Sequence, residues 1–124
     1  MAKYVDGFVI AIPTKNIEAY KKIAKIGGKM LQKHGALDYK ECVMEDGEPD
    51  MGGMGALTFG KLAKAKPDET VIFSYIVYKS RKHRDQVNKK VMKEFEKNDP
   101  MKDMPMPFKM NRMAYGGFEV IVDA

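Results

Sequence analysis

The sequence predicts an α+β subunit: a four-stranded antiparallel sheet carrying two helices on one face. Three observations predict it. Apolar runs along the 124 residues fall in the order strand, helix, strand, strand, helix, strand. The first and last strands are written alike, with KYVDGFVIAIP near the start and MNRMAYGGFEVIVDA at the end. The strands FVIAI, VIFSYIVY and FEVIV are apolar on both faces, whereas a sheet covered on one side only alternates apolar and polar residues. A β-α-β unit repeated twice is the ferredoxin-like pattern, and it places the first and last strands side by side and antiparallel. Two helices cover one face of such a sheet. The bare face must meet something apolar, and in a chain this short the simplest cover is a second copy. A homodimer with its sheets face to face is expected, each buried aliphatic side chain contributing about 1.5–3 kcal/mol.

Each element has its own grounds. Tyr4 to Ile12 reads as a strand ended by Pro13. A helix follows over Lys15 to His34, capped by Thr14 or Asn16, with Ile17, Tyr20, Ile23, Ala24, Met30 and Leu31 near helical spacing. The pair Gly27–Gly28 marks close packing against the sheet or a bend, and Gly35 stops the helix. Ala36 to Met44 reads as a second strand of mixed polarity near a sheet edge. Glu45 to Glu69 is long and irregular, with Pro49 and glycines from Gly47 to Gly55; such a stretch is functional, mobile or a dimer arm. Thr70 to Tyr78 is the clearest strand. Ser80 caps a second helix running to Lys97, with Val87, Val91 and Phe95 facing in, and Asn98-Asp99-Pro100 stops it. The last strand spans Met113 to Asp123. Gly7 and Gly117 remove side chains where backbones, helices or a ligand approach closely.

Length and composition fit one domain over 1–124. Hydrophobic residues make up 44% and charged residues 31%, the balance of a soluble globular protein. No apolar run approaches a membrane span, and no signal-peptide pattern opens the chain. A single cysteine, Cys42, agrees with a cytoplasmic setting. The net charge is +5, but the lysines are spread over two helix faces and mixed with acids. Solvated helix surface is therefore preferred to a nucleic-acid patch.

The stretches KYVDGFVIAIP, ECVMEDG, TVIFSYI, NDPM and MPFKMNRMAYGGFEVIVD together resemble the YbaA-like family of uncharacterised bacterial proteins (DUF1428). The resemblance covers nearly the whole chain, and RMAYGGFEVIVD and YVDGF are its most specific parts. It implies membership of the dimeric α/β-barrel superfamily, hence a ferredoxin-like subunit and a dimer built sheet to sheet. That superfamily also holds cofactor-free monooxygenases, small-molecule degraders and haem enzymes. The family offers no catalytic motif to match, so no activity is carried over. The loop EPDMGGMGALTFGKLAKAK is the part least faithful to the family.

Alternation divides the first strand into Tyr4, Asp6, Phe8 and Ile10 against Val5, Gly7, Val9 and Ala11. The last strand divides into Met113, Tyr115, Gly117, Glu119 and Ile121 against Ala114, Gly116, Phe118 and Val120. The small and aliphatic sets suit helix packing. The set holding Tyr4, Asp6, Tyr115 and Glu119 suits a cavity between the sheets of a dimer, with Glu41, Ser74 or Tyr75, and Arg112 joining it. Asp6, Glu41 and Glu119 with Arg112 are the sharpest group. Desolvation raises a carboxylate's pKa and a nearby Arg lowers it, and such a pair can do acid–base work. An ion pair that fixes strand register or the dimer is the preferred reading, because structural networks perturb pKa values too.

His34 suits a helix C-terminus, and His83 falls in an exposed first turn. Two histidines and one cysteine without ligand spacing do not make a zinc or haem site. No metal and no cofactor are expected. Cys42 reads as a small buried hydrophobe, and GGMGALTFG lacks the ending of a phosphate loop. Met101, Met104, Met106, Met110 and Met113 cluster before the last strand. Soft thioethers can bind copper(I), but a flexible apolar lid or dimer contact anchored by Phe108 is preferred. Three functions remain open: a homodimeric small-molecule-binding protein or cofactor-free enzyme, a non-catalytic structural or stress-linked dimer, and nucleic-acid binding through the lysines.

Overall fold

A computed structural model describes residues 2–124. Strand β1 (Tyr4–Pro13) leads through a 3₁₀ turn, Thr14–Asn16, into helix α1 (Ile17–Lys33). Strand β2 (Asp38–Val43), the short helix α2 (Phe59–Leu62), strand β3 (Glu69–Tyr78), helix α3 (Arg81–Lys97) and strand β4 (Met113–Glu119) follow. The sheet order is β2-β3-β1-β4 with every neighbouring pair antiparallel. The two Gly-Phe strands are therefore partners, with Gly7 opposite Gly116, Phe8 opposite Tyr115 and Val5 opposite Phe118. Phe118 lies over both glycines, and a Cβ at Gly7 would come within 3.2 Å of its ring.

Element ends differ from expectation where pairing runs out. Strand β4 stops at Glu119 because its partner β1 begins at Tyr4; only Val120 N–H still reaches Lys3 C=O, at 3.0 Å. Ile121 and Val122 are exposed. Asn16 occupies the N-cap of α1 but its side chain makes no cap. It donates instead to Pro107 C=O at 2.8 Å, across 91 residues of chain. Ser80 caps α3 as expected, accepting from His83 N–H at 3.1 Å. Gly35 terminates α1 at φ +106°, a conformation that costs glycine little. The 45–69 segment contains a turn of helix, α2, capped by Thr58 Oγ1 accepting from Lys61 N–H.

The bulky strand residues, not the small ones, face the helices. Ile10, Ile12 and Ile72 pack with Tyr20, Ile17, Ala24 and Phe108. Ile76 and Tyr78 pack with Val87, Leu31, Val91 and Tyr39. The expected assignment of the two sheet faces is thus inverted. Gaps between a sheet and helices need large side chains to fill them. Glycine and alanine instead flatten the opposite face, which presents Val5, Val9, Phe73, Tyr75, Val77 and Phe118. Helix α2 covers one end of that open face, with Phe59 edge-on to Phe73 at 6.1 Å between ring centroids. Phe73 and Phe118 remain exposed. No helix among the described residues is long and apolar enough to cross a membrane.

Candidate functional site

The candidate residues separate into two buried clusters on the helix side of the sheet, plus outliers. At one end, Asp6 is 2% exposed. Its Oδ1 accepts from Arg84 Nη1 at 2.7 Å, and the same nitrogen lies 3.0 Å from Tyr115 Oη. Arg84 Nε also donates to Asp85 at 2.8 Å, and the guanidinium sits 5.0 Å from the Tyr4 ring centroid. Phe8 and Tyr115 stack at 4.8 Å. Burial raises the Asp6 pKa above the ordinary aspartate value, against the pull of Arg84 and Tyr115. The Asp6 carboxylate is enclosed by protein, while Arg84 is mostly buried and Tyr115 stays half-exposed beside it.

The second cluster is different in kind. Tyr39 and Glu41 alternate onto the helix side of β2, opposite Ile76 and Ser74 of β3. Tyr20 descends from the first turn of α1. Tyr20 Oη donates to Glu41 Oε1 at 2.6 Å, and Tyr39 Oη donates to Glu41 Oε2. Burial, and then the adjacent Glu41 charge, push both phenols far above the usual tyrosine range, so both remain hydrogen-bond donors. Ser74, 2% exposed, lies beside them. Among the described residues Glu41 has no salt-bridge partner within 4.0 Å.

Glu41 and its two tyrosines stand in a wall between two hollows. Outside, between α1 and β2, a cleft of about 550 Å³ is lined by Lys21, Lys25, Lys29 and Lys40. On the inner side, a second hollow of about 550 Å³, as open to solvent as the first, forms a chamber between sheet and helices. Its lining is mostly apolar, including Phe8, Ile76, Leu31 and Phe95, and it is roofed by Met101, Met104, Met106 and Phe108. The methionine-rich segment, expected to be a flexible apolar lid or a dimer contact, forms a strap over this hollow, with Phe108 packed on Tyr20 at 5.9 Å and Asn16 holding its Pro107 carbonyl. Gly27 lines the chamber with open space where a Cβ would stand. Gly28 lies against Tyr39, whose ring a Cβ there would meet at 2.7 Å.

Tyr4, Asp6, Glu41, Tyr115 and Glu119 therefore share one side of the sheet, but it is the side the helices cover. They are absent from the open face of the sheet, which carries Val5, Val9, Phe73 and Phe118 instead. Tyr75 is the exception and faces the open side. Asp6 and Glu41 are separated by strand β3. Glu119 is exposed and makes no side-chain hydrogen bond among the described residues. Arg112 joins none of them. Its Nη2 donates to Glu69 Oε1 at 2.5 Å and to Lys64 C=O at 2.9 Å, tying the 45–69 segment to the approach to β4. The Lys66 N–H and then Arg112 hold the Glu69 carboxyl below its ordinary range.

Arg84, Tyr20 and Tyr39 escaped the sequence reading as site residues. A signal for Arg84 existed: positions 84, 87, 91 and 95 fall on one helical stripe, so an arginine sits on the apolar face of α3. Cys42 is exposed on the open side rather than buried. His83 accepts from Lys79 N–H through Nδ1 at 3.0 Å. His34 contacts Glu94 Oε1 at 3.0 Å, where Lys33 also binds, so the pair of helices is tied together there.

The fold and this buried core define a ferredoxin-like α+β protein. Residues 3–110 match the family described as "Protein of unknown function (DUF1428)". Proteins named "Uncharacterized protein YbaA" from Escherichia coli strain K12 and from Shigella flexneri are 42% identical over 125 residues, covering 98% of both chains. The chain belongs to this family. Among solved structures it resembles a crystal structure of a dimeric ferredoxin-like protein from an uncultured marine organism, with TM-score 0.61, 13% identity and 100% of both chains covered.

Proposed function

We propose that this protein is a homodimeric small-molecule-binding protein whose ligand occupies the chamber between sheet and helices, beneath the methionine strap. The observation that carries the reading is the chamber itself. It has the size and apolar lining of ligand sites, with a few polar groups converging at one wall, here Glu41, Tyr20, Tyr39 and Ser74. Methionine is suited to a wall that must adapt to ligands of differing shape. The open sheet face supports the dimer: an apolar surface rimmed by Phe73 and Phe118 is the kind a second copy covers, and the solved ferredoxin-like neighbour is described as dimeric. Two such sheets face to face make a dimeric α/β barrel with one chamber in each subunit.

A thermal-shift screen with small aromatic and aliphatic compounds tests the chamber, run in parallel on wild type and Gly27→Leu. Position 27 lines the chamber and has room for a Cβ, so a leucine there extends into the chamber. Compounds that stabilise wild type are expected to lose their effect on Gly27→Leu. Equal stabilisation of both proteins would place binding elsewhere and end the reading.

A further inference from the structure

Resting on that reading, we infer that the chamber selects a hydrophobic amine: an apolar body carrying a protonated nitrogen. The charged residues lining the chamber are Glu41 and Asp99, and its lining includes no lysine, arginine or histidine. The lysines near Glu41 (Lys21, Lys25, Lys29 and Lys40) line the outer cleft on the other side of the wall, and none forms a salt bridge with it. Donor counting sharpens this. Each phenol has one O–H, and both are spent on Glu41. What the wall offers a ligand is therefore mainly acceptor lone pairs, on the carboxylate and on the phenol oxygens, the Ser74 hydroxyl being turned to Tyr20. An ammonium has three donors and no acceptor, and its bonds to a carboxylate are charge-assisted. Rings of Phe8, Tyr20, Tyr39, Phe95 and Phe108 around the same space favour a cation over their faces. A carboxylate ligand would meet two like charges and no counter-charge.

Three probes of matched shape separate the possibilities: 2-phenylethylamine, 2-phenylethanol and phenylacetate, each titrated calorimetrically near pH 7.5 into wild type, Gly27→Leu and Glu41→Gln. Wild type is expected to bind the amine about tenfold more tightly than the alcohol, the scale of one charge-assisted bond, and the acid most weakly. Gly27→Leu loses all three. Glu41→Gln keeps the alcohol and loses the preference for the amine. If the alcohol or the acid equals the amine on wild type while Gly27→Leu still abolishes binding, the amine inference is overturned and the chamber reading stands. If no probe binds wild type, or binding survives Gly27→Leu, the chamber reading fails and the inference with it. Should Glu41→Gln not fold, the order of the three probes on wild type decides.

Discussion

Adjacent glycines in α1 should respond to alanine with opposite signs. At Gly28 a Cβ would stand 2.7 and 2.9 Å from two ring carbons of Tyr39, roughly 0.7 Å inside normal carbon–carbon contact. The ring cannot step aside freely, because β2 fixes its backbone opposite Ile76 and its hydroxyl is bonded to Glu41. Overpacking costs about 1–3 kcal/mol, and straining a hydrogen bond to a carboxylate adds to that. Helix propensity returns about 0.5–1 kcal/mol. Gly28→Ala should therefore lose about 1–3 kcal/mol. At Gly27 nothing lies within 4 Å of the added carbon, so Gly27→Ala should gain about 0.5–1 kcal/mol. For a chain of this size the shifts are about 3–5 °C per kcal/mol. Thermal and urea unfolding followed by circular dichroism, at one fixed protein concentration because any self-association adds to stability, reads both. A Gly28→Ala protein as stable as wild type would refute the packing of α1 on Tyr39, and with it the placement of the Glu41 cluster.

Three further outcomes follow from other parts of the fold. Arg84→Ala leaves Asp6 buried without its cation, and chemical denaturation should register a loss of about 3–5 kcal/mol. Burial and the charges of Lys79 and Lys90 hold His83 below its ordinary 6.5; the unfolded chain then binds the proton more readily, so stability should be full above 6.5 and fall as pH drops through it. That fall should flatten in His83→Gln, measured by melts between pH 5 and 8. Phe118→Asp puts a charge on the open sheet face at its β4 edge, and sedimentation velocity at micromolar concentration should show monomer where wild type shows dimer.

Much of the fold was legible because its signals are local. Ser80 before α3, Gly35 after α1 and the apolar run Thr70–Tyr78 each fix an element by short-range chemistry, and the paired Gly-Phe strands fix β1 beside β4. The choice of sheet face was not legible from alternation alone. Both faces are apolar, so the pattern that normally orients a strand is silent, and side-chain volume decides: Phe8, Ile10 and Ile76 fill the space under the helices while Gly7, Ala114 and Gly116 cannot. The site followed the same rule. Glu41 was visible as a carboxylate on a strand, but its partners Tyr20 and Tyr39 come from α1 and from its own strand two residues away, read as ordinary stripe and strand aromatics. Asp6 was visible too, yet its partner Arg84 is 78 residues distant and betrayed only by its place on an apolar helical stripe. The methionine cluster before β4 was visible from composition, as a lid or a dimer contact; its place over the hollow beside Tyr20 was not. That Asn16 ties it down was not, since asparagine before a helix ordinarily caps it.

The most direct test of the chamber as the binding site is a crystal structure of the protein soaked with bromobenzene, whose bromine is located by anomalous scattering and whose binding needs no particular head group. The structure predicts bromine between Tyr20, Phe108 and the sulfur of Met104, with Glu41 still held by both tyrosines. Bromine found only on the open sheet face, or a chamber closed by its own side chains, would contradict it.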